Sequence, residues 1–189
     1  MTISPHHDPV TASNSASLTS GRSEELCRAW YEAHGPQIYR YLRFHLPSAD
    51  LAEEVTSETF YKAVRAADRF DHEKGDARLW LFRIARNALR DHQRRDRLRR
   101  HLSIGQMRDL EADAPSPEER LLWEERVAEL LEAVGRLPDR DRELIGLRYG
   151  SEMEPSEIGT LMGLTDSVVR TRLWRALKRL RTALDEGTP

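Results

Sequence analysis

Apolar residues recur at spacings of three and four along most of the chain, the signature of helices that bury one face. Leu26, Trp30 and Ala33 open such a stripe, and Ile38, Tyr41, Leu42 and His45 continue it past Gly35-Pro36. The proline either kinks this helix or begins a second one. Pro47-Ser48-Ala49-Asp50 reads as a turn with an N-terminal cap, ahead of a helix that carries Leu51, Val55, Thr59, Val64 and Ala67. A break spans Phe70 to Gly75. Beyond it, Arg78 to Arg100 predicts a long helix with Leu81, Ile84, Ala85, Ala88 and Leu89 inward.

Periodicity then fades. Residues 101–117 contain Gly105, Asp109, Glu111, Asp113, Pro115 and Pro117, a composition that predicts a flexible acidic tether. Glu118 to Val134 is again amphipathic, with Leu122, Val127, Leu130, Leu131 and Val134 inward and Gly135 closing it. Leu137-Pro138-Asp139 opens a helix to about Tyr149, Gly150 to Pro155 turns, and Ser156 to Met162 forms a short helix. After a turn at Gly163, Thr165 caps a last helix reaching about Leu184, with Val168, Val169, Leu173, Leu177 and Leu180 inward. No segment shows the period of two expected of a strand. The expectation is an all-α chain of two small helical domains joined by a flexible acidic linker: a disordered tail over 1–22, a first domain over 23–100, the linker over 101–117, a second domain over 118–185 and a short tail over 186–189.

A length of 189 residues with 39% hydrophobic content suits two small cores better than one large enzyme core. The single cysteine, Cys27, excludes an internal disulfide and a cysteine zinc cluster. Residues 1–22 are rich in Ser, Thr and Pro and lack the apolar stretch of a signal peptide, and no run of about 18 apolar residues offers a membrane span. A cytoplasmic protein is expected.

The 30 Lys and Arg residues nearly balance 32 Asp and Glu, so attraction to a polyanion must come from segregated charge. Of the basic residues 27 are Arg, the side chain that forks onto phosphates and base edges, although genome composition would give the same bias. Segregation is evident in two helices. Ser167 to Arg181 holds six basic residues and no acidic one. It follows a short helix and a tight turn, the form of a helix-turn-helix whose second helix enters a major groove. The outer face carries Ser167, Arg170, Thr171, Arg172, Trp174, Arg175, Lys178, Arg179 and Arg181; a solvated helix would mix signs instead.

The second basic helix, Arg78 to Arg100, has nine Arg against Asp91 and Asp96. Trp80 and Phe82 stand at its start, with Phe60 and Tyr61 on the helix before it. Basic residues interleaved with aromatics suit unpaired DNA, on whose bases rings stack while Arg tracks the backbone. The same rings would serve as ordinary core. Trp80, Arg83, Arg86, Asn87, Arg90 and Arg94 are the candidates here. The helix from Asp50 to Ala67 is opposite in character, with Asp50, Glu53, Glu54 and Glu58 and no cation before Lys62. Such a face would repel DNA and suits a protein partner, or simply solubility.

The run Ala52-Glu53-Glu54-Val55-Thr56-Ser57-Glu58-Thr59-Phe60 resembles the polymerase-binding helix of group IV (extracytoplasmic function, ECF) sigma factors of bacterial RNA polymerase, which usually reads A-E-D-L-V-Q-E-T-F. Trp80-Leu81-Phe82-Arg83-Ile84-Ala85-Arg86-Asn87, with Asp91, Arg94 and Arg95, resembles the part of sigma region 2 that melts and reads the minus-10 element. Leu137-Pro138, Arg142-Glu143-Leu144 and Ile158 to Leu180 resemble region 4, whose second helix reads the minus-35 duplex. The resemblance covers about Glu24 to Leu184, with no extra C-terminal domain expected beyond it. Departures are Glu54 for Asp, Ser57 for Gln, Glu154 for a capping Ser or Thr, Gly159 for Ala and Val168 for Thr. Gly159 is expected to cost about 1 kcal/mol of helix propensity, and Val168 to remove a hydroxyl from the phosphate contacts.

The resemblance implies a dissociable promoter-specificity subunit that is no enzyme and needs no cofactor. Its partners would be core polymerase, bound through Asp50, Glu53, Glu54, Ser57 and Glu58, promoter DNA as duplex and as melted strand, and an anti-sigma factor. The acidic linker would run toward the polymerase cleft, its carboxylates imitating nucleic-acid charge. The alternative is a helix-turn-helix regulator binding duplex operators without polymerase, which leaves the Arg78 to Arg100 helix unexplained. A nucleic-acid enzyme would need a metal or acid-base cluster, and Glu53 and Glu54 lack a His at ligand spacing.

Overall fold

The computed structural model describes the backbone of residues 10–70, 75–102 and 117–185, and the side chains of 25–70, 75–97 and 126–185. Within them the chain is all-α. Helices α1 (Val10–Arg43), α2 (Ala49–Arg65) and α3 (Ala77–Leu102) form an N-terminal unit, and α4 (Pro117–Gly135), α5 (Asp139–Ile145), α6 (Pro155–Met162) and α7 (Asp166–Asp185) a C-terminal one. The tether itself, 103–116, lies outside the described residues, as do residues 1–9 and 186–189 of the two predicted tails.

Two local expectations change. Helix α1 passes through Pro36 without a break and begins at Val10, so 10–22 extend a helix where composition predicted a disordered tail. Extending a formed helix adds one hydrogen bond per residue fixed, which modest propensities do not prevent. The helix predicted from Asp139 to Tyr149 ends as α5 at Ile145 and loosens into a π-helical turn over Gly146–Gly150. A Cβ at Gly146 would lie 2.8 Å from Cε1 of His45, so glycine lets this turn sit against the end of α1.

Helix α2 starts as its sequence suggests, the Ser48 hydroxyl accepting from Leu51 N–H at 3.3 Å. Its inner side buries Ala52, Val55, Phe60 and Ala63, and the buried Thr56 and Thr59 hydroxyls donate to Ala52 and Val55 carbonyls at 2.6 and 2.7 Å. These residues pack with Trp30, Ile38, Tyr41 and Leu42 of α1 and Leu81, Phe82, Ala85, Ala88 and Leu89 of α3.

That core does not stop at the unit boundary. Leu144, Leu147, Met153, Ile158, Leu161, Val169 and Leu173 of the C-terminal unit belong to the same buried cluster. A second, smaller cluster of Ala133, Val134, Leu137, Ile145, Ala176 and Leu180 joins α4, α5 and α7. The sequence pattern predicted two separate cores; here the units close onto each other, because each leaves an apolar edge that its own helices do not cover.

Candidate nucleic-acid and polymerase interfaces

Helices α6 and α7 make the predicted helix-turn-helix. Pro155 starts α6, and Glu154 does the work of a capping Ser or Thr: it forms a reciprocal capping box in which its own N–H donates to Glu157 Oε2 at 2.7 Å. Gly163 ends α6 in the left-handed region at φ 69°, and Thr165 caps α7 through Val168 N–H at 3.4 Å. Gly159 corrects the expectation drawn from propensity. A Cβ there would approach the Leu164 carbonyl oxygen to 2.6 Å, so the turn requires the glycine.

Val169, Leu173, Ala176 and Leu180 are the buried stripe of α7. Val168 and Leu177, expected inside, are 38% and 37% exposed; Ala176 takes the inward position. The opposite face is open: Ser167, Arg170, Thr171, Arg175, Lys178 and Arg179 are exposed, Arg172 is half-buried, and Trp174 is 65% exposed with the Lys178 ammonium 5.8 Å from its ring centroid. Three of these side chains are already tied: Arg170 to Asp166 one turn back at 3.0 Å, the Thr171 hydroxyl to the Ser167 carbonyl at 2.9 Å, and Arg179 to the buried Asp141 of α5. Arg172 and Arg175 form no ion pair among the described residues.

On α3, the exposed residues Arg83, Asn87, Arg90 and Arg94 follow one another at spacings of four, three and four, and so share a face. The rings divide. Phe60 and Phe82 are core, Trp80 is half-buried in an aromatic cluster with Trp30 and Phe70 at centroid distances of 5.2 and 4.8 Å, and Tyr61 is 63% exposed. Arg86 is placed differently from the other candidates. It is only 9% exposed, its Nε donating to Glu143 Oε1 at 2.6 Å and its Nη1 to the Leu161 carbonyl at 2.8 Å.

Arg86 is one of several arginines that cross from the N-terminal unit to the C-terminal one, a set that sequence reading missed. Arg78 donates to Glu157 at 2.8 Å and to the Ser151 carbonyl at 2.6 Å; Arg40 donates to Glu152 at 2.9 Å and to the Gly150 carbonyl at 3.0 Å. Arg97 meets Asp139 at 3.3 Å. The partners stand 42 to 112 positions apart, beyond the reach of any local pattern. At the same seam His45 is neutral: burial pushes its pKa down to about 4, and the bond to the Tyr41 carbonyl only partly opposes this. Since that carbonyl accepts, the proton sits on Nδ1, leaving Nε2 buried without a partner.

On α2, Asp50, Glu53, Glu54 and Ser57 are exposed, whereas Glu58 is half-buried between Lys62 at 2.8 Å and Arg95 at 3.1 Å. Burial alone would raise the Glu58 pKa; the bonds from Lys62 and Arg95 outweigh it and hold the carboxyl below its usual range. Glu53, Thr56 and Ser57 line a groove of about 510 Å³ with Tyr31, Gly35, Pro36 and Tyr39 of α1. No helix among the described residues is long and apolar enough to cross a membrane. Cys27 is half-buried against the main core.

Residues 30–99 match the family model for Sigma-70 region 2, and residues 133–182 that for Sigma-70 region 4. The ECF RNA polymerase sigma factor BldN of Streptomyces coelicolor is 30% identical over 188 residues, covering 96% of this chain and 71% of its own. The chain belongs to the sigma-70 family, in its ECF branch. The RNA polymerase sigma factor CnrH of Cupriavidus metallidurans is 32% identical over 160 residues, 80% of this chain and 83% of its own. The solved structure of CnrH in complex with the cytosolic domain of CnrY superposes with a TM-score of 0.64 at 28% identity, covering 92% of this sigma factor and 96% of CnrH. Sigma factor RpoE of Bartonella quintana, solved with the anti-sigma factor NepR, shares the fold with a TM-score of 0.68 at 21% identity over 87% of this chain and 99% of RpoE. The function of this ECF sigma factor is promoter-specific transcription initiation by RNA polymerase. The regulator that works without polymerase is not favoured.

Proposed function

We propose that the three surfaces divide the work of initiation. The exposed carboxylates Asp50, Glu53 and Glu54, with Ser57, face core polymerase; Glu58, pinned by Lys62 and Arg95, sets the spacing between α2 and α3 instead of contacting the partner directly. Arg83, Asn87, Arg90 and Arg94 track the unpaired minus-10 strand, with the exposed part of the half-buried Trp80 at its end. Arg86 joins them only after exchanging Glu143 and Leu161 for phosphate. Helix α7 enters the minus-35 major groove with Thr171, Trp174 and Arg175 at the bases and Ser167, Arg172, Lys178 and Arg179 toward the backbone. The protein works in the cytoplasm without a cofactor. An anti-sigma protein covers the α2 groove when the factor is idle, as the family resemblance implies.

The observation that carries this reading is the sorting of charge: two basic faces on α3 and α7 and one acidic face on α2, each exposed on its own helix. Run-off transcription with purified core polymerase and a library of promoter fragments tests it. Specific starts that require this protein, and that disappear when Glu53 and Glu54 are both replaced by Lys, are the expected result. Silence there, together with retention of a duplex fragment without polymerase, would return the chain to the regulator reading.

A further inference from the structure

We propose that a cavity between α3 and α5 is a binding site for a short phosphate chain, a linear di- or triphosphate that is either free or carried by a nucleotide. The cavity measures about 360 Å³ and is walled by α3, the first turns of α5 and the turn that follows α1. Small-molecule sites begin at roughly 300 Å³.

The walls are cationic. Arg86, Arg90, Arg94 and Arg97 succeed one another on α3 at spacings of four, four and three, and Arg140 of α5 lines the same space. Arg86 is filled by Glu143 and the Leu161 carbonyl, and Arg97 meets Asp139. Arg90 lies 3.9 Å from Glu143, too far for a hydrogen bond, and Arg94 and Arg140 form no ion pair among the described residues. Five guanidinium groups against the carboxylates of Asp139 and Glu143, beside a neutral His45, leave three positive charges uncompensated. A compact group of about equal negative charge is the complement, and a di- or triphosphate supplies it with oxygens that fit the planar fork of arginine.

His45 adds a polar contact of another kind. Its Nδ1 donates to the Tyr41 carbonyl at 2.8 Å, and its Nε2 is buried beside the cavity without a partner. As an acceptor, Nε2 suits a terminal phosphate that keeps one proton. A DNA strand is the rival occupant for so much arginine, but a strand needs a track it can enter and leave. Arg140 and His45, which α3 does not contribute, turn this part of its arginine face into a pocket instead. Arg90 and Arg94 belong both to the pocket and to the outward face of α3. A bound phosphate chain therefore takes two of the four side chains proposed for the unpaired strand, and this consequence alone rests on that proposed role.

The test uses the full chain without polymerase, DNA or divalent metal. Isothermal titration calorimetry compares inorganic tripolyphosphate, GTP and sulfate at matched ionic strength. The expected result is saturation at one tripolyphosphate per chain, with sulfate weaker. Arg94→Gln and Arg140→Gln, exposed positions on the two walls whose folding is checked by circular dichroism, should each weaken tripolyphosphate about tenfold. Arg65→Gln removes an exposed arginine of α2 outside the cavity and should change the affinity by less than about twofold. GTP binding more tightly than tripolyphosphate would identify a nucleotide as the source of the chain, and the reverse or equality a free chain; either supports the site. Absence of saturation, sulfate as tight as tripolyphosphate, or equal losses in all three variants overturns it. A loss at only one of Arg94→Gln and Arg140→Gln also overturns it, and a loss at Arg94→Gln alone would return the anion to the open strand path of α3. Neither polymerase nor promoter enters these measurements, so their failure and that of the run-off assay are told apart.

Discussion

Helices α3 and α7 are both amphipathic, both rich in arginine and both assigned to DNA, yet they meet the rest of the molecule in different ways. On α7 the buried stripe of Val169, Leu173, Ala176 and Leu180 holds the helix, and the basic face is left to solvent apart from Arg179, which is tied to Asp141 of α5. On α3 the arginines are split: Arg83, Arg90 and Arg94 face outward beside Asn87, while Arg78, Arg86 and Arg97 reach across to acceptors of another unit. Positive charge alone therefore does not make an available nucleic-acid surface. What counts is whether the fold already supplies an anion.

That difference is sharpest at Arg86. Replacing it with Ala leaves Glu143, itself largely buried, without its main partner, and should destabilise the closed chain by about 3 kcal/mol, read from urea denaturation. Lys at this position carries all its donors on one nitrogen and cannot span the two acceptors that Arg86 reaches from Nε and Nη1, so it should recover less than half of the loss. The closest comparison on α7, Arg175→Ala, should leave the urea midpoint unchanged.

The seam should also respond to acid. The unfolded chain takes up the His45 proton near pH 6.5, the folded chain only near 4, so the unfolded state holds more protons between those values. Stability is therefore full above about 6.5 and falls as the pH drops through that window, by up to about 3 kcal/mol at its lower end. Glu143 and Asp139 favour the charged ring and Arg142 opposes it, but burial dominates. Denaturation midpoints across this range check the slope, and His45→Phe should flatten it.

Within the helix-turn-helix, Gly159→Ala should lower stability by about 2 kcal/mol despite a better helix former, because the new methyl meets the Leu164 carbonyl. Thermal melting distinguishes this from the gain that propensity alone would give. Arg175→Ala should then weaken minus-35 duplex binding by about 1 to 3 kcal/mol at one base position. A uniform loss across sequences would assign Arg175 to a phosphate instead. The smallest effect is expected from Asp166→Asn, which releases Arg170 from an exposed pair worth under about 1 kcal/mol and should barely move the melting temperature.

Much of the fold was legible because its signals are local. The Ser48 and Thr165 caps, the stripe on α3 and the basic face of α7 each follow from residues within one or two turns. The errors have physical causes of two kinds. Val168 and Leu177 are apolar at helical spacing and read as core, yet both stand more than a third exposed while the small Ala176 is buried. Gly159 was judged against an isolated helix, whereas the neighbouring turn decides its value. The seam was illegible for a third reason: Arg86 and Glu143 are ordinary charged residues at sites whose meaning appears only when two distant helices meet. For the same reason the sequence sets Arg86 beside Asn87 and Arg90, although Arg86 is buried where those two are exposed.

The acceptors in the seam include the main-chain oxygens of Gly150, Ser151 and Leu161. No missense mutation deletes a carbonyl. Substitution can therefore strip the seam of its Glu143, Glu152 and Glu157 carboxylates while the backbone half of each arginine's grip stays in place.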